Sequence, residues 1–80
     1  MITSAQIRAA RGALRWSAQD LADRAGVGIQ TVKRFELAPG VPRSRSRTLD
    51  KVRLTLEAAG IEFVGTPEDG PGIRLRRQAS

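Results

Sequence analysis

The stretch that decides the fold runs from Ser17 to Glu36 and reads SAQDLADRAGVGIQTVKRFE. It divides into two helical halves around a glycine turn. Ser17 and Asp20 have the spacing of a capping box, in which the hydroxyl takes an orphan amide and the acid reaches back to the cap's own N–H. Leu21, Ala22 and Ala25 then share one face of a short helix, and Gly26 is a natural left-handed terminator. A second periodic run starts near Ile29, turns Val32 and Phe35 inward and ends near Leu37. The turn is too short for the helices to lie antiparallel. They therefore cross steeply, with small Ala22 at the approach and Val27 and Val32 filling the angle.

On the N-terminal side, Thr3 and Gln6 repeat the capping spacing, and Ile7, Ala10 and Leu14 mark a helix over about residues 4–15. Gly12 inside it costs about 1 kcal/mol relative to Ala, so either something packs close there or the helix is weak. On the C-terminal side, Ala38-Pro39-Gly40-Val41-Pro42 cannot continue a helix, because its prolines lack amide protons. After the basic run Arg43-Ser44-Arg45-Ser46-Arg47, Ser46 or Thr48 can cap a fourth helix. Its apolar stripe is Leu49, Val52, Leu56 and Ala59, and Gly60 closes it. Ile61 with Phe63, and Ile73 with Leu75, alternate along two short runs around the turn chemistry of residues 65–71, which predicts a β-hairpin of about 61–65 and 72–76. Arg74 and Arg76 face away from Ile73 and Leu75 and can pair with Glu62 across the strands. The fold class is mainly α: four helices over residues 1–60, a C-terminal β-hairpin over 61–77 and a frayed tail over 78–80.

Composition narrows the chemistry. The chain has 80 residues, a net charge of +6, no cysteine and no histidine. A core this small is usually reinforced by disulfides, metal or oligomerisation. The first two lack their residues, and no cofactor is implied. Without histidine or a cysteine nucleophile the chain is expected not to be an enzyme. Twelve arginines stand against two lysines, an excess that suits phosphate and base recognition through the bidentate guanidinium fork, although a basic balance also serves solubility. No apolar run approaches the ~20 residues of a membrane helix, and no signal-peptide pattern is present, so the expected location is cytoplasmic.

A family resemblance rests on Ile7-Arg8-x-x-Arg11, Trp16-Ser17-x-x-Asp20-Leu21-Ala22, Ala25-Gly26-Val27 and Thr31-Val32-x-x-Phe35-Glu36, in that order and spacing. The chain resembles the Xre-type helix-turn-helix regulators related to the lambda-type repressors and Cro proteins. The likeness is tight over residues 7–36 and looser over 49–60, and the hairpin resembles that of small stand-alone bacterial members. The position opening the third helix, usually Ser or Thr in the family, is Gly28 here. The resemblance implies a regulator of transcription, in all expectation a repressor, that binds double-stranded DNA with its third helix in the major groove.

Val32 and Phe35 take the core face, leaving Gln30, Lys33 and Arg34 outward. Gln30 can bond adenine, and Lys33 or Arg34 guanine. Ile29 can touch a thymine methyl or only shield the turn, and Thr31 can bond a phosphate or a base. Phosphate contacts are expected from the start of helix 2 (Ser17, Ala18 and Gln19), from Gly28, and from Arg43 and Arg45 after the loop. Arg11 and Glu36 match a helix 1 to helix 3 ion pair of the family and are expected to be structural, as is Trp16, which packs helices 1 and 2.

One recognition helix reads only a few base pairs, so a homodimer is expected. Two surfaces offer themselves: the helix 4 stripe of Leu49, Val52 and Leu56, helped by Leu54, or the edge of the hairpin. The hairpin's apolar residues also have the option of covering the chain's own core. A second functional class stays open. In an antitoxin or adaptor the helix-turn-helix mainly serves a protein partner, and Ile29, Leu37 and Val41 would be its apolar contacts.

Overall fold

The computed structural model describes residues 2–38, 40 and 46–76, with the backbone only at Ser46. The chain forms α1 (Ser4–Leu14), α2 (Ala18–Ala25), α3 (Ile29–Leu37) and α4 (Ser46–Ala58). A two-stranded antiparallel sheet follows, of β1 (Ile61–Thr66) and β2 (Asp69–Leu75).

Local chemistry sets the boundaries. Both capping boxes are complete. Thr3 Oγ1 accepts from the Gln6 N–H at 3.1 Å while Gln6 Oε1 accepts from the Thr3 N–H at 2.8 Å. Ser17 and Asp20 exchange the same two bonds at 3.0 and 2.9 Å. α2 stops at Gly26, whose φ of +70° is cheap only for glycine. α4 starts at Ser46 itself, so Ser46 and Thr48 lie within the helix rather than ahead of it as caps.

α1 packs on α3, α4 and β2; α2 packs on α3 and α4; β1 lies against α4. Between them sits one core. Ile7, Leu21, Val32, Phe35, Val52 and Leu56 are all but sealed from solvent, and Ile2, Ala10, Ala22, Ala25, Leu49 and Ile61 complete it. Trp16, Val27, Ile29, Phe63 and Ile73 pack on its rim half-buried. The start of α1 is held to the loop after α3 by a bond from the Ser4 N–H to the Gly40 carbonyl at 2.8 Å.

Three expectations need correction. The hairpin turn is shorter than the run 65–71. β1 extends to Thr66 and β2 begins at Asp69, because the ladder absorbs the extra residues as a bulge beside Gly65. There Gly65 has φ +75° and a Cβ would lie 2.3 Å from the Gly70 carbonyl oxygen. Leu75 does not join the core. It stands 50% exposed, whereas Ile61 opposite it is in the core and Phe63 and Ile73 pack against the core, so only part of the hairpin's apolar set is covered in cis. Finally, the α4 stripe of Leu49, Val52 and Leu56 is buried in the chain's own core and is not free to meet a second copy; of that helix only Leu54 is an exposed large apolar residue. The readings placed on Arg43, Arg45, Val41 and the tail from Arg77 to Ser80 lie outside the described residues.

Candidate nucleic-acid interface

The face of interest is the outward side of α3. Val32 and Phe35 are buried, so the helix has no rotational freedom about its axis. Gln30, Lys33 and Arg34 consequently project into solvent along one stripe, at helical spacing of three and four. Leu37 continues the stripe and is 84% exposed. Gln30, Lys33, Arg34, Leu37 and Ala38 line an open depression. Among the described residues neither Lys33 nor Arg34 has an acidic partner. Both cations are therefore free to meet an anion without first breaking an internal pair.

The remaining sequence-derived contacts divide. Thr31 is half-buried at the flank of the stripe. Ile29 packs partly against the core, so its shielding role is the one the packing displays. Gly28 caps α3 with no side-chain bond, at φ −74° and ψ 152°, conformations open to any residue.

The start of α2 is less free than its sequence suggests. The Ser17 N–H is already given to Asp20 Oδ2, which leaves the Ala18 and Gln19 amides as the uncommitted donors there. The Ser17 N–H, then its hydroxyl, and more weakly the charge of Arg24, hold the Asp20 carboxyl below the usual carboxylate range. Asp20 is therefore ionised at neutral pH and competes with any incoming anion for the helix terminus. Gln19 turns along the helix and donates to Asp23 at 2.8 Å, an exposed bond that a better acceptor can displace.

What orients α3 is a clamp centred on Arg11. Its Nε and Nη2 reach the two carboxylate oxygens of Glu36 at 2.7 and 3.0 Å, a bidentate pair. Its Nη1 donates to the Trp16 carbonyl at 3.0 Å. One guanidinium thus ties α1, the α1–α2 turn and the last turn of α3 together. The Glu36 carboxylate, first through the hydrogen bond itself, holds Arg11 above its ordinary pKa and so permanently charged. Arg8, one turn earlier on α1, donates to the Glu36 carbonyl and fixes the same end of α3. Behind the clamp, Arg24 stacks over the Trp16 ring at 4.6 Å, a cation–π contact that closes the α1–α2 corner. The Arg8 and Arg24 roles were not visible in the sequence. Arg8 enters there only as part of the Ile7-Arg8-x-x-Arg11 pattern and Arg24 carries no reading; the fold brings them to the Glu36 carbonyl and the Trp16 ring.

No metal-binding group of acidic residues occurs among the described residues, and no helix there is long and apolar enough to cross a membrane. In comparison with known proteins, the chain matches no family model and no curated protein.

Proposed function

We propose that the protein is a sequence-specific double-stranded DNA-binding regulator of the Xre helix-turn-helix type. In this reading α2 and α3 are the helix-turn-helix, and a dimer represses by occupying an operator. The observation that carries it is the outward stripe of α3: Gln30, Lys33 and Arg34 side by side, exposed and unpaired, on a helix whose rotation and tilt are set by Phe35 and the Arg11–Glu36 clamp. A reading helix must hold its donors still while leaving them uncommitted, and both conditions meet here. Gln30, Lys33 and Arg34 are the base-reading residues, with Thr31 and Ile29 at the margin. The Ala18 and Gln19 amides, Gly28, Arg43 and Arg45 are the phosphate contacts.

Selection from random duplex DNA with the purified protein tests this directly. It should return a palindromic site with half-sites about 10 base pairs apart. Within that site Arg34→Ala or Gln30→Ala should cost about 1–3 kcal/mol at one base position, whereas Arg43→Ala should weaken all sequences alike. Equal, weak binding to every duplex would remove the proposal.

Leu37 favours a second reading, in which a protein partner covers this face. A leucine so exposed adds little to phosphate binding and much to an apolar contact. Partner binding of that kind would vary little with salt, unlike the steep loss of DNA binding.

A further inference from the structure

We infer that a second copy of the chain docks on the outer edge of β1, antiparallel, with the two-fold axis passing beside Phe63. The inference deepens the dimeric reading above by naming its surface, and it stands or falls without DNA.

The hydrogen-bond phase of the hairpin identifies the free groups. The Arg76 N–H donates to the Gly60 carbonyl at 2.7 Å. Alternation then makes Glu62–Arg74 and Val64–Gly72 the bonded pairs of the ladder, and turns the main-chain groups of Ile61 and Phe63 outward from β1 and those of Ile73 and Leu75 outward from β2. None of these outward groups has a partner among the described residues. The two edges differ. In β2 the next position toward the turn is Pro71, which has no N–H and blunts that edge. β1 has no proline, so its outward N–H groups are all available; an open depression lined by Glu57, Gly60, Ile61, Glu62, Phe63 and Arg76 lies at its start.

Register follows from charge and geometry. Centring the pair on Glu62 would set two carboxylates directly opposite each other, which is destabilising. Centring it on Val64 would rest the main-chain pairing on Gly65, where the ladder is bulged. A centre at Phe63 sets the carboxylates apart and makes its central bonds without Gly65, which enters only in the flanking pairs opposite Ile61. It gives two main-chain bonds at the axis and pairs the Phe63 rings on the core side. On the solvent side Glu62 lies opposite Val64 of the second copy. The result is a four-stranded sheet shared by two chains, with β2 as its protected outer edge.

Val64 provides the test. It stands on the solvent face of the hairpin, diagonal to Arg74, so a charge there leaves the monomer's core untouched. Sedimentation of the DNA-free protein should show a dimer. Val64→Glu, facing Glu62 of the copy twice, should raise the dimer dissociation constant at least about tenfold, while Val64→Lys should preserve or tighten the dimer. Circular dichroism checks that each variant is folded. A thiol provides a second measurement independent of charge. Phe63→Cys should cross-link across the axis on oxidation, since bonded antiparallel pairs place Cα atoms about 5.5 Å apart, and Leu75→Cys should not. A monomeric wild type, dissociation of both Val64 variants, or cross-linking through Leu75→Cys in place of Phe63→Cys would each overturn the inference.

Discussion

Arg11 shows how much of this molecule depends on the shape of single side chains. Its three bonded nitrogens reach two oxygens of Glu36 and one carbonyl of Trp16, a fork that a lysine ammonium cannot span. With the pair only 27% and 11% exposed, removing one partner strands a largely desolvated charge. Arg11→Ala should therefore cost about 2–3 kcal/mol, less than for a fully buried pair because water reaches the guanidinium, and Arg11→Lys should recover only part of it; urea unfolding measures both. Gly12, its neighbour, works the other way. The sequence left open whether something packs there, and the structure decides it: a Cβ at Gly12 would meet nothing within 4 Å. Gly12→Ala should raise stability by about 1 kcal/mol, and the midpoint of thermal unfolding by about 4–8 °C, with no other change. Local pattern could pose the question at Gly12 but not answer it, because the answer depends on which elements lie opposite.

The same limit appears between elements. Helix positions and the existence of the hairpin were legible, since caps, glycines and periodicity are local and here agree with one another. The joints were not. Gln6 reads in sequence as the second half of a capping box. In the fold its amide also donates to the carbonyls of Val64 and Gly72, at 3.1 and 2.8 Å, and so pins α1 to both strands of the hairpin. Nothing within a few residues of Gln6 could signal acceptors that lie some sixty positions away. Gln6→Glu isolates this joint, because the carboxylate keeps the bond from the Thr3 N–H yet faces two carbonyls with no proton to offer. It should destabilise the protein by about 1–3 kcal/mol at neutral pH. The deficit relative to wild type should shrink as the pH falls through the raised pKa of the new carboxyl, since the protonated acid is again a donor. A loss that stayed constant with pH would mean that the joint is steric and not a matter of donated protons. Leu75 and the α4 stripe teach the complementary lesson. A period marks which residues share a face, but whether that face is covered in cis depends on where neighbouring elements end.

At the scale of the whole molecule, the sequence already carried the charge: +6 with arginine in large excess. What it could not show is which cations are spent internally. Arg11 is committed to Glu36, Arg53 to Asp50 and Glu57, and Arg74 and Arg76 to Glu62, while Lys33 and Arg34 on α3 have no acidic partner among the described residues. The pairs on α4 and the hairpin are exposed and worth little, so added salt should move the unfolding midpoint of the free protein only slightly. The proposed DNA complex behaves differently. A ligand at about 100 times its dissociation constant stabilises the folded state by about 2.7 kcal/mol, enough to raise the midpoint of a domain this size by about 10–20 °C. If the complex neutralises about five phosphates in all, a fourfold rise in salt lowers the affinity roughly 500-fold and erases that gain. Melting curves with and without a cognate duplex should thus be well separated at low salt and converge as salt rises, with the free protein's curve nearly fixed. Arg34→Ala should leave the free curve in place and shrink the separation, because the residue is exposed and has no acidic partner among the described residues, so the proposed duplex contact is what the substitution removes. A separation that persisted at high salt would mean that the duplex is held mainly by apolar contacts such as burial of Leu37, which ions do not screen, and not by the phosphates.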